Sequence, residues 1–143
     1  MPVSGIDHYN INSTDLDRTR RFYADVMGMH EGARPPFASK GAWLYIGDHA
    51  ILHVSTMRKP ATQKSDSFDH IAFRATGLAQ TRALLKDKGI KFDQFGVPDR
   101  NLYQVFFKDP DGVEIELVFS GAEATAAMAE DGAKMDASTG RNT

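Results

Sequence analysis

Two stretches of alternating apolar and polar residues, Ile6-Asp7-His8-Tyr9-Asn10-Ile11 and Phe68-Asp69-His70-Ile71-Ala72-Phe73, echo each other along the chain. Alternation with period two puts every second side chain on one face of a strand, so strands are predicted over about 3–11 and 67–74, each with a histidine in mid-strand. The same spacing carries Leu16, Thr19, Arg20 and Asp25 onto Leu78, Thr81, Arg82 and Asp87, and Gly28 onto Gly89 with one position lost. A duplicated module is the economical reading.

After each opening strand the apolar period lengthens to that of a helix. Ser13, Thr14 or Asp15 can cap the first helix, whose stripe is Leu16, Phe22, Tyr23 and Val26 before Gly28. Leu78, Ala79, Ala83, Leu84 and Leu85 play that part before Gly89. Three strands are predicted to follow each helix: about 29–33, 43–46 and 50–54 in the first half, and about 90–95, 102–107 and 113–119 in the second. Gly47-Asp48 and Asp109-Pro110-Asp111-Gly112 make the turns before each last strand. The predicted class is α+β: two βαβββ modules, about 3–57 and 67–120, in one domain over 1–120, joined by a linker at 58–66. Small and polar residues dominate from Gly121 onward, so 121–143 is expected to be a flexible tail.

Composition narrows the partners. A length of 143 residues suits one compact domain, and a net charge of −2 gives no electrostatic case for nucleic acid. No apolar run reaches the ~18 residues of a membrane span, and the start lacks a secretory profile. The absence of cysteine excludes disulfides and thiolate metal sites. A cytoplasmic setting is the expectation.

The last strand then stands out. If Val113, Ile115, Leu117 and Phe119 form its packed face, Glu114 and Glu116 point the other way. A carboxylate in such apolar surroundings needs a partner, and a metal is one solution. Two closing halves would bring His8 and His70 to one side, where Glu116 joins them. That imidazole and carboxylate set suits Fe(II), Mn(II), Co(II), Ni(II) or Zn(II) and leaves coordination positions open. His53, on the first half's counterpart of the Glu116 strand, is either a fourth ligand or a neighbouring acid-base group. Glu114 is expected to face solvent, and His30 and His49 to be exposed beside turns; Asp7 and Asp69 would face away from the ligands. Arg34 and Arg100 precede central strands and are placed to meet an anionic or carbonyl substrate, while Trp43, Tyr45, Gln104 and Phe106 are candidates for an aromatic wall.

The two Asp-His strands together with Asp109-Pro110-Asp111-Gly112-Val113-Glu114-Ile115-Glu116-Leu117 make the chain resemble the vicinal oxygen chelate superfamily, over about residues 3–120. This is the group of glyoxalase I, extradiol dioxygenases, fosfomycin-resistance transferases, methylmalonyl-CoA epimerase and bleomycin-resistance proteins. The resemblance implies a cup-shaped mixed β-sheet with helices outside, one divalent metal on His8, His70 and Glu116, and commonly a homodimer. It also implies that the metal binds two adjacent oxygens of a small substrate and stabilises negative charge on them. Glyoxalase I carries a Glu where this chain has His53, which marks down glutathione-dependent isomerisation. Fosfomycin enzymes share the His, His and Glu set but continue into a basic C-terminal region that this tail does not match. An additional histidine, His53, beside two His and one carboxylate fits extradiol oxygenation. A metal-dependent lyase, isomerase or dioxygenase is therefore expected, with antibiotic or small-molecule sequestration without turnover as the alternative.

Overall fold

The computed structural model describes residues 5, 6, 8–56 and 70–134. The expected linker, Asp7, Asp69 and residues 135–143 lie outside them. The described chain runs β1 (Tyr9–Ser13), α1 (Leu16–Asp25), β2 (His30–Glu31), β3 (Gly41–Ile46) and β4 (His49–Thr56). It continues with β5 (Ile71–Arg74), α2 (Leu78–Asp87), β6 (Phe92–Val97), a 3-10 turn (Pro98–Arg100), β7 (Leu102–Lys108), β8 (Glu114–Ser120) and α3 (Gly121–Lys134). The α+β class and the twofold βαβββ order are as expected. The strands form two four-stranded sheets, ordered β1-β4-β3-β2 and β5-β8-β7-β6, neither closed on itself. In each, the first strand runs parallel to the last, Tyr9 beside Leu52 in one and Ile71 beside Ile115 in the other.

Two compact units follow this division, one within 1–64 together with Asp109–Val113, the other within 65–108 and 114–143. In the first unit Asp15 caps α1, its carboxylate accepting from the Arg18 N–H at 3.0 Å. Gly28, at φ 67°, ends that helix in the left-handed conformation a glycine adopts without strain. Tyr23, Leu44, Leu52 and Val54 fill the core of this unit. The Asp109–Val113 turn belongs here. Oδ1 of Asp109 accepts from the Asp111 and Val113 N–H groups, each at 2.9 Å, and Oδ2 accepts from the Tyr23 hydroxyl at 3.0 Å. Burial raises the Asp109 carboxyl above its ordinary range against the help of these donors. Burial, then the charge of Asp109, keeps the Tyr23 hydroxyl protonated far beyond its usual range. Asp111 in turn accepts from Thr14 Oγ1 at 2.9 Å and pairs with Arg18 at 3.1 Å.

In the second unit Ile115 and Phe119 of β8 are fully buried with Tyr103, Val105 and Leu85, and Leu117 is nearly so. Each large side chain contributes about 1.5–3 kcal/mol by leaving water. The expected flexible tail needs correction over 121–134, which form α3. Its Ala124 and Ala127 are buried, and a Cβ on Gly96 would meet Met128 at 2.5 Å, so small residues allow a close helix–sheet approach that a count of large apolar residues misses. Glu123 of α3 also supplies the N-cap that α2 lacks, accepting from the Gly77 and Leu78 N–H groups at 3.1 and 2.8 Å. Tyr103 donates to Asp131 at 2.7 Å, and burial with that carboxylate pushes its hydroxyl up to about 12. Among the described residues, no helix is long and apolar enough to cross a membrane.

Candidate functional site

Both key histidines sit one residue ahead of their strands rather than in mid-strand, because pairing begins only at Tyr9 and at Ile71. The second unit gathers a compact cluster from β5, β7 and β8. His70 Nε2 lies 2.9 Å from Glu116 Oε2, and the Gln104 amide donates to Glu116 Oε1 at 2.6 Å. Phe106 stands directly across from Glu116 and meets the His70 ring edge-on at 5.7 Å. Glu116 is only 5% exposed. Alternation on β8 sends it away from Ile115 and Leu117, and two neighbouring side chains, His70 and Gln104, satisfy it.

The first unit gathers rings. His53 of β4 is stacked between His8, centroids 3.8 Å apart at 14°, and Trp43, 4.0 Å apart at 7°. Trp43 is the cross-strand partner of His53, as Phe106 is of Glu116. His53 follows Leu52, the partner of Tyr9, and Glu116 follows Ile115, the partner of Ile71. The two modules therefore place an imidazole and a carboxylate at equivalent registers, each beside the histidine that leads into the parallel strand.

The remaining candidates divide. Trp43, Gln104 and Phe106 are drawn into these two groups. Tyr45 is turned aside, its hydroxyl bonded to the Ala33 carbonyl and its ring 5.6 Å from His30. Arg34 donates to the Ser39 carbonyl at 3.1 Å, lies 4.9 Å over the Phe37 ring, and lines a cleft with Asp15, Asp17, Arg20 and Lys40 that neither His8 nor His53 enters. Arg100 is exposed in the 3-10 turn. His30 and His49 are exposed as expected. Glu114 is not solvent-facing: it is half-buried, and one of its oxygens is shielded from water. Sequence reasoning also missed the ring stack, although the matching alternation of β3 and β4 was its one available signal.

Among the described residues, no group of three or more His, Cys, Asp or Glu side chains is gathered as a metal shell; each unit supplies a pair. The His70 and Glu116 pair fits a divalent ion by its chemistry. Its nitrogen and oxygen are as far apart as neighbouring ligands each about 2.1 Å from a common ion, roughly 3 Å. Gln104 fixes the carboxylate in the way that outer partners of metal ligands do.

A family model described as Glyoxalase/Bleomycin resistance protein/Dioxygenase superfamily matches residues 5–117. The chain belongs to this superfamily. Among its relatives, "Glyoxylase I 4" of Arabidopsis thaliana is 27% identical over 124 residues, spanning 82% of this chain and 71% of the relative. A protein of Synechocystis named "Probable lactoylglutathione lyase" is 30% identical over 122 residues, spanning 78% of this chain and 92% of the relative. The crystal structure of a glyoxalase/dioxygenase from Nostoc punctiforme shares the fold at a TM-score of 0.68, with 22% identity over 82% of this chain and 91% of that one. Glyoxalase-type relatives support an enzyme of the superfamily and do not favour sequestration without turnover.

Proposed function

We propose that this chain is a divalent-metal-dependent enzyme acting on a small molecule with neighbouring oxygens, by lyase or isomerase chemistry of the kind for which its Synechocystis relative is named. The observation that carries the reading is the buried Glu116 carboxylate held between His70 and Gln104. In this reading His8, His70 and Glu116 are the metal ligands, with iron, manganese, cobalt, nickel or zinc as candidates. When bound, the ion supplies a positive centre that stabilises negative charge developing on two adjacent substrate oxygens.

The chain's own residues do the rest. Stacking between Trp43 and His8 fixes the plane of the His53 ring, and an imidazole nitrogen at its edge takes a proton from the substrate and returns it at the neighbouring atom. The unperturbed imidazole range near 6.5 suits a group that must do both at neutral pH. Gln104 prevents Glu116 from rotating away from His70. Phe106 and Trp43 give each half an apolar wall that limits water. A homodimer in the cytoplasm, implied by the resemblance, is part of the same proposal and is checked by sedimentation of the purified protein.

The test pairs metal content with turnover. Protein purified without chelator should carry about one equivalent of a divalent metal and convert the thiol adduct of a 2-oxoaldehyde to a thioester. His53→Ala should keep the metal and lose turnover. Metal without turnover of any such adduct would retire the lyase arm, with iron then directing attention to oxygenase substrates.

A further inference from the structure

Residues paired across neighbouring strands share a face of the sheet, so the second unit presents two adjacent rows of side chains on the face that carries Glu116. One row is Ala72, Glu116, Phe106 and Asp93, and the next is Arg74, Val118, Gln104 and Phe95. Two residues separate the rows along each strand, roughly 6.6 Å. The first row holds the carboxylate paired with His70, and the second supplies the Gln104 amide that donates to it. Arg74 therefore lies on the same face as that pair, one row along, on the edge strand β5.

The guanidinium is uncommitted. Arg74 is exposed, and its side chain makes no hydrogen bond, ion pair or ring contact among the described residues. Of the other described arginines in this unit, Arg82 is held by Gln94, Glu130 and the Tyr103 ring, and Arg100 stands in the 3-10 turn. The carboxylate nearest in the row pattern, Glu116, already has His70 and Gln104. Between the pair and the guanidinium lie only Ala72, which is small, and Val118, which is apolar and half-buried. The first module shows the same place without a charge. Asn12 stands where the repeat puts Arg74, in a row with Ser55 and Gly41, and Ser55 is hydrogen-bonded to Asn10 at 3.2 Å. A free guanidinium across a short neutral floor from the reacting centre matches a ligand with a remote anionic end, because its planar fork fits a carboxylate.

We propose that Arg74 is a specificity-determining residue: it receives a carboxylate of the substrate, one row away from the oxygens handled at the His70 and Glu116 pair, with Ala72 and Val118 under the stem between them. The substrate class is then an anionic one. This inference rests on the function proposed above.

The probes are two ligands with adjacent oxygens, the monohydroxamate of glutaric acid and its terminal amide, which differ only in the anionic end. Metal content of the full chain is read first, and binding of each probe to the metal-loaded chain is then measured by calorimetry at low and high salt. The acid should bind roughly threefold to tenfold more tightly than the amide, as suits a guanidinium and carboxylate contact that stays near water. Added salt should narrow the gap. Arg74→Gln should erase the preference while keeping the metal and the affinity for the amide, and Arg74→Lys should keep part of it. Equal or absent binding of the two probes by the metal-loaded parent would overturn the inference and leave the metal reading standing. So would a preference that survives in Arg74→Gln, which would assign it to another cation such as Arg100. A chain that takes up no metal after reconstitution would sink the proposed function and this inference together.

Discussion

Two carboxylates seven positions apart, Asp109 and Glu116, are equally buried at 5% exposure, one in each unit. Asp109 is met by two backbone N–H groups and a tyrosine hydroxyl. Glu116 is met by a histidine and a glutamine side chain. The first set of partners ties a turn to a helix, and none of it is a metal ligand or a proton carrier near neutral pH. The second set includes an imidazole nitrogen which, in the function proposed above, would exchange its hydrogen bond for a metal bond. Burial alone does not separate the two carboxylates; the kind of donor that satisfies each one does.

That contrast can be broken in both directions. The largest expected effect is on Asp109→Ala, which strips three hydrogen bonds from a buried turn and should cost about 3 kcal/mol in urea unfolding, while metal bound per folded molecule stays as in the parent. Gln104→Leu should do the reverse, leaving stability within about 1 kcal/mol and weakening metal affinity roughly 10- to 100-fold, as loss of a ligand's outer partner does. Competition with a chelator measures it. Tyr23→Phe leaves one Asp109 lone pair unmet and should cost about 1 kcal/mol, again with metal affinity unchanged.

The smallest effect is a pH dependence. The Asp109 carboxyl is raised in the folded state, chiefly by burial, so the fold holds its proton more tightly than the unfolded chain does. Its contribution is fully present below the ordinary carboxylate value near 3.8 and is lost as pH rises through the raised value. The parent should therefore lose stability relative to Asp109→Asn as pH rises across that window. A parent that gains relative to Asn would mean that the hydrogen bonds outweigh the burial.

Much of this contrast was legible in the chain. The repeat from His8 to His70 gave both parallel-strand entries, and the alternation around Ile115 and Leu117 singled out Glu116. The duplicated order and most strand positions followed from the same signals. Helix α3 escaped because its packing uses alanines and its anchoring uses Glu123 and Asp131, polar residues that read as solvent-facing until their partners are known. Glu114 escaped for a related reason: alternation gives the face of a residue and not its depth. The partners of the candidate arginines were equally hidden, since Arg34 is committed to its own loop by the Ser39 carbonyl and the Phe37 ring.

The central claim is that Glu116 is buried for the sake of a metal. Elemental analysis of the parent and of Glu116→Gln, purified side by side without chelator, tests it most directly. About one equivalent of a divalent metal in the parent, lost in a variant that unfolds within about 1 kcal/mol of it, is the predicted result. Equal metal in both, or none in the parent after reconstitution, would contradict it.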